Sequence, residues 1–182
     1  MRKLYVLLLG AMTAIAVWVA PVVIATPAAS SDMMDSASGG GHYLVAGSLD
    51  VQFAFSAAQH TNGTVSGSFH DSTNDGLGTV DFDADVTCMA VDRDQGRAWI
   101  GGVITANRST SPDYTDSLHQ PGHDIWFRVL DTGNEGDHQD RRTFLGFEGG
   151  SIPSSAAYCA LRPWPPDNAR TWPVTQGDII VQ

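Results

Sequence analysis

Thr79 to Val91 reads T-V-D-F-D-A-D-V-T-C-M-A-V and alternates without a break. Val80, Phe82, Ala84, Val86, Cys88 and Ala90 fall on one side; Asp81, Asp83, Asp85 and Thr87 fall on the other. A period of two describes a strand with one dry face and one wet face. A helix would scatter the three aspartates around its circumference. A strand of this kind needs neighbours for its backbone and a second layer, or a closed wall, for its apolar side. The side assigned to the interior carries one of the chain's two cysteines, so this strand is also the expected anchor of a cross-link.

The same alternation continues on both sides. Leu49, Val51, Phe53, Phe55 and Ala57 alternate with polar and small residues. His60-Thr61-Asn62-Gly63 follows, then Val65, Gly67 and Phe69. Asn-Gly between two alternating runs is a strong hairpin signal. Asp71 to Gly78 reads as a polar loop. Asp92-Arg93-Asp94-Gln95-Gly96 is a second hairpin turn, and Arg97 to Thr105 is its returning strand. Gly101-Gly102 within that strand points to a bulge or a bend. Later strands are expected over 125–129, 143–147 and 177–182. A polar loop with Pro112 and Pro121 precedes the first of these, and an acidic loop, Asp131 to Arg141, separates the first from the second. Residues 151–175 are irregular and proline-rich, with a short helical turn near 154–160.

Composition agrees. Eighteen of the twenty acidic residues are aspartate, and only Glu135 and Glu148 are glutamate. Aspartate competes with the helix backbone and favours turns. The fold expected is all-β: a small antiparallel meander closing as a barrel of seven or eight strands, with a β-sandwich as the alternative. The short terminal strand would close it by pairing with an early one.

The N-terminus sets the compartment. Met1-Arg2-Lys3 precedes an apolar run from Leu4 to Ala25 and then small residues. That order is a secretory signal peptide over 1–25, with cleavage as late as residue 29. The competing reading is an uncleaved anchor. Residues 26–41, rich in Ser, Asp, Ala and Gly, read as a disordered linker, leaving 42–182 as one β domain. The protein is expected to be secreted, with no stable membrane insertion after cleavage. Export places Cys88 and Cys159 in an oxidising space and predicts a disulfide between them. The formal net charge is −10; over residues 1–40 Arg2, Lys3, Asp32 and Asp35 cancel, so the folded part after the linker carries the same charge. This acidity argues against nucleic acid as a partner.

The series Asn62-Gly63-Thr64-Val65-Ser66-Gly67-Ser68-Phe69, Val86-Thr87-Cys88, Ala98-Trp99-Ile100-Gly101-Gly102-Val103 and Phe127-Arg128-Val129-x-Asp131-x-Gly133 occurs here in one order. Cys159 and Gly177-Asp178-Ile179-x-Val181 follow. This resembles a group of exported, β-rich bacterial proteins of unknown function, mostly from high-GC organisms. The resemblance spans nearly all of the exported chain. Its motifs are turns, glycines and cysteines, so it implies a fold and carries no activity.

Each candidate site has an ordinary structural reading beside it. Asp81, Asp83 and Asp85 share a face, but next-nearest residues on a strand lie about 6.5–7 Å apart, so a solvated outer face is expected. The loop from Asp131 to Asp140 offers Asp131, Asn134, Glu135, Asp137 and Asp140 for calcium. Position twelve is Arg142, where an EF-hand needs glutamate, and an EF-hand is rejected. His119, His123, Asp124 and His138 have no fixed zinc geometry. No Gly-x-Ser-x-Gly elbow and no phosphate-cradling glycine loop occur. Trp99, Trp126, Trp164 and Trp172 are candidates to line a ligand surface, against a packing role. Asn62-Gly63-Thr64 and Asn107-Arg108-Ser109 match the glycosylation pattern by chance. No residue is assigned to catalysis, to a cofactor or to a metal. The expectation is an exported structural or interaction module without catalysis, with a small ligand or a cell-surface partner. The alternatives are a β-barrel binding a small apolar or sugar-like ligand and, last, a secreted hydrolase.

Overall fold

The computed structural model describes residues 33–133 and 139–182. The segment read as a signal peptide and the first part of the linker lie outside the described residues. Among those described, nine strands run in chain order: β1 Met33–Val45, β2 Leu49–His60, β3 Val65–Asn74, β4 Thr79–Asp92, β5 Arg97–Asn107, β6 Asp124–Leu130, β7 Arg141–Arg142, β8 Gly146–Phe147 and β9 Trp172–Val181. An α-helix, α1, spans Ser155–Leu161. The pairings are antiparallel, and hydrogen bonds pass through β1-β2-β3-β4-β5-β6-β7-β9 and back to β1. The sheet therefore closes on itself along this ring of eight strands, and closure removes the exposed edges that invite aggregation.

The expected turns form as their residues dictate. Asn62 Oδ1 accepts hydrogen bonds from the Thr64 amide (2.9 Å) and hydroxyl (2.7 Å), while Gly63 takes φ +82°. Asp92 accepts from the Gln95 amide at 3.2 Å, and Gly96 ends that turn at φ +61°. Inward-facing Tyr43, Phe53, Phe55, Phe69, Phe82 and Phe127 join aliphatic residues in one continuous core. Phe127 takes Phe55 and Phe69 edge-on at 5.1 and 5.0 Å. Outward positions such as Gln52, Ser56, Ser68 and Asp85 are exposed. That is the reverse of the apolar-out pattern of a transmembrane barrel. Among the described residues no helix is long and apolar enough to cross a membrane.

Three sequence expectations are corrected. Residues 33–41 are not a disordered linker but most of β1, held by β2 on one side and β9 on the other. The inward positions of β1, Ala37, Gly39, Gly41 and Tyr43, are mostly too small to show an apolar period. The small size is needed: Gly41 (φ +149°) lies against β9, where an added Cβ would sit 1.9 Å from the Gln176 carbonyl oxygen. The early strand that closes the ring is therefore the one whose composition marks it as unfolded.

The second correction concerns β4. Its pairing with β5 slips between Val86 and Cys88, so Thr87 is a bulge residue. Met89 takes the inward position, and Cys88 and Ala90 turn to the outside. An extra residue in one strand flips every later side chain to the opposite face. The third correction is at Asp71, which is no loop residue. It continues the inward row of β3 after Phe69 and is 1% exposed.

Candidate functional site

Outside the barrel wall, Ala90, Trp99 and Trp126 of β4, β5 and β6 form a second, smaller cluster with Tyr158 and Cys159 of α1. Its lid is α1 and the proline-rich segment after it. Ser154 caps the helix, accepting a hydrogen bond from the Ala157 amide at 3.2 Å. Arg162 ends it in the left-handed conformation (φ +47°). Pro163, Pro165 and Pro166 then bar further helix. A Cys88–Cys159 disulfide ties α1 to β4 across 71 positions. Gly101 lets the helix come close: a Cβ there would lie 2.7 Å from Ser155 Cβ and 2.8 Å from Cys88 Sγ. Trp99 fixes the segment beyond the helix, its indole N–H donating to the Pro163 carbonyl at 2.9 Å.

Between this lid and the outer face of β6–β8 lies an open groove of about 660 Å³. That falls within the roughly 300–1,000 Å³ typical of small-ligand sites. Trp126, Tyr158, Trp164, Trp172, Phe144 and Leu145 are among the residues of its wall. Trp126 and Tyr158 stack at 5.5 Å and 20°, and Trp99 holds Trp164 edge-on at 5.7 Å. Arg128, on the outer side of β6 and 7% exposed, lies at the base of the groove; Arg170 stands at its edge. Arg128 donates to the Ala169 carbonyl at 2.9 Å and sits 5.3 Å over the Trp164 ring. Its Nε has no hydrogen-bond partner among the described residues. Burial pushes the Tyr158 hydroxyl up to about 12, against the pull of Arg128. Tyr158 is therefore a neutral donor and no base at physiological pH.

Of the four tryptophans singled out in the sequence, three line this groove and Trp99 braces it from behind. Spacing along the chain gave no hint that residues 126, 164 and 172 meet.

The other candidates take structural roles. Asp81, Asp83 and Asp85 lie on the outer face as expected, Asp85 exposed and the other two partly so and paired. Arg108 bridges Asp81 and Asp83 at 3.1 and 2.7 Å, and His70 Nδ1 lies 2.8 Å from Asp83. Burial pushes the Asp83 carboxyl up, but these contacts outweigh it and hold the group below its ordinary value. Asp131 and Asp140 face the terminal strand: Asp131 accepts from the Val181 amide at 2.9 Å and Asp140 from the Ile179 amide at 2.8 Å. They act as clamps for β9. Asn134, Glu135, Asp137 and His138 lie outside the described residues. His119 Nδ1 pairs with Asp116 at 2.7 Å and its ring packs on Phe147, while His123 Nδ1 pairs with Glu148 at 2.6 Å. Among the described residues no group of three His, Cys, Asp or Glu is placed to hold a metal ion.

Ser155, His123, Asp124 and Glu148 are neighbours, but they do not make a nucleophilic triad. Ser155 is buried and its hydroxyl donates to Asp124, not to a histidine. A serine nucleophile needs a base at its oxygen and an open approach.

Inside the barrel the sequence missed a buried ion pair. Arg142, 0% exposed, meets Asp71 through Nη1 (2.5 Å) and Nη2 (2.7 Å), and Nη1 lies 3.2 Å from the Tyr43 hydroxyl. The guanidinium also sits 4.0 Å over Phe127 and 4.8 Å over Phe53. Burial pushes the Asp71 carboxyl above its ordinary value, and the Arg142 charge pulls it back. Continuing the row Val65, Gly67, Phe69 by one more step would have pointed to Asp71. Nothing in the sequence pointed to Arg142.

No family model, no curated protein and no solved structure matches this chain. The functional reading therefore rests on the groove itself.

Proposed function

We propose that this protein is a non-catalytic extracytoplasmic module that binds a small apolar or sugar-like ring ligand. The site is the outer groove between β6–β8 and the disulfide-pinned lid, not the barrel lumen. One observation carries the reading: three tryptophans distant in sequence converge on one open groove of ligand size. Trp164 and Trp172 stay half-buried there, and aromatic surface left in water is costly unless it is covered. A closed and cross-linked scaffold also holds the rings in place before any ligand arrives, which lowers the entropy cost of binding. The export signal and the disulfide support a role outside the cytoplasm.

The test is a titration followed by the indole N–H signals in proton–nitrogen NMR. Uncharged ring probes, 2-naphthamide and cellotriose, are the ligands. Saturable shifts of the Trp126, Trp164 and Trp172 signals, lost in Trp164→Ala, are expected for at least one probe. Shifts confined to other residues would refute the groove as the site.

A further inference from the structure

We infer that the ligand of this groove is an aromatic carboxylate, a flat ring bearing one negative charge; this rests on the groove being a ligand site. The chain has twenty acidic residues against ten basic ones, yet among the described residues the groove wall contains two arginines, Arg128 and Arg170, and no Asp or Glu. Three arginines of the fold have carboxylate partners, Arg93 with Asp35, Arg108 with Asp81 and Asp83, and Arg142 with Asp71, while Arg141 and Arg162, outside the groove, have none among the described residues. Arg128 and Arg170 have none among the described residues. Arg97 stacks on Trp164 at 4.6 Å, near Arg128 on the same ring, and it too lacks a carboxylate partner there. Arg97 and Arg128 gathered around one ring, with no Asp or Glu in the groove wall, form a positive hollow in a negative protein. Such a hollow attracts an anion and repels a cation.

The polar groups decide between an aromatic acid and a sugar acid. A sugar buries many hydroxyls, and each needs a partner. The groove offers few. The Thr143 hydroxyl already accepts from the Arg128 amide at 3.0 Å, and the Trp164 indole N–H donates to Asn168 at 2.9 Å. An aromatic ring needs only apolar contact, offered by the half-buried Phe144, Trp164 and Trp172, and its carboxylate finds Arg128 and Arg170. Arginine suits this role because its planar fork matches a carboxylate.

The experiment compares 2-naphthoate, 2-naphthamide and glucuronate on the full chain by calorimetry, each at low and high salt. Naphthoate should bind about tenfold tighter than naphthamide, the value of one added charge-assisted hydrogen bond. Its affinity should weaken with salt while that of naphthamide does not. Arg128→Met should bring the two naphthyl affinities together, with the fold checked by circular dichroism. Arg170→Gln is a surface change that should narrow the gap without risk to folding. Equal affinities for naphthoate and naphthamide would overturn the anionic assignment and leave the groove as a neutral ring site. Glucuronate binding as tightly as naphthoate would overturn the aromatic one. Absence of binding by either naphthyl probe at millimolar concentration would overturn the inference, and with cellotriose also silent the groove reading falls with it.

Discussion

Replacing Asp71 by asparagine keeps the side-chain volume and removes one charge. In the native protein Arg142 is wholly enclosed, and two of its nitrogens rest on the Asp71 carboxylate. In the Asp71→Asn variant the guanidinium keeps the Tyr43 oxygen and the ring faces of Phe127 and Phe53, but no counter-charge. Breaking a buried pair by removing one partner costs roughly 3–5 kcal/mol. For a domain of this size each kcal/mol moves the melting point by about 2–4 °C, so a fall of roughly 6–20 °C is expected. The double change Asp71→Leu with Arg142→Met removes both charges and both desolvation costs. It should lie within about 1 kcal/mol of the native protein, since apolar residues often replace a buried pair without loss. Urea unfolding followed by tryptophan fluorescence measures all the free energies, and an unchanged slope confirms that the same surface is exposed. A single-variant cost below about 1 kcal/mol would show that the core relaxes or admits water, and the reasoning would fail. So would a double variant as unstable as the two single ones added together.

The Cys88–Cys159 bond closes a loop of 71 residues by sequence separation; the chain-entropy model gives about 4 kcal/mol for such a loop. Reduction, or Cys88→Ser with Cys159→Ser, should lower the melting point by roughly 8–16 °C, and the oxidised protein should take up no thiol-alkylating label. The hydrogen bond from His123, helped by the Asp124 amide, holds the Glu148 carboxyl below its ordinary value. Its contribution is therefore present above the ordinary carboxylate range and is lost as pH falls through the depressed value. The stability gap between the native protein and Glu148→Gln, measured by urea unfolding, should be full near pH 6 and close towards pH 3; a gap that widens on acidification would reverse the sign.

Most of the wall was legible because alternation is a local signal. β2 and the first half of β4 each bury one row and expose the other, and the turns after β2 and β4 carry Asn-Gly or an Asp cap. What escaped was whatever depends on a partner far along the chain. β1 is a strand because β2 and β9 flank it, and Gly39, Gly40 and Gly41 hold no apolar row to announce it. The acidic clamps read as loop decoration because their partners, the Ile179 and Val181 amides, are backbone groups. Arg142 lies where a charged residue is rarely fully buried, and only the Asp71 carboxylate and the surrounding rings make its position sustainable.

The groove follows from one residue of misfit. Had β4 kept its alternation to Ala90, Cys88 would point into the barrel, where α1 cannot reach. The bulge at Thr87 sends Cys88 outward, opposite Gly101, the position on β5 that leaves room for a helix. The disulfide then fixes α1 near its C-terminal end, and the left-handed turn at Arg162 directs the proline segment back over Trp99. Its prolines fix the backbone of a segment whose Pro163, Trp164 and Pro165 form one side of the groove. Bulge, cysteine, glycine and prolines each carry a local cost, and together they build a groove with Trp164 and Trp172 half-buried in its wall; that concurrence is the strongest physical reason to look for function in the groove.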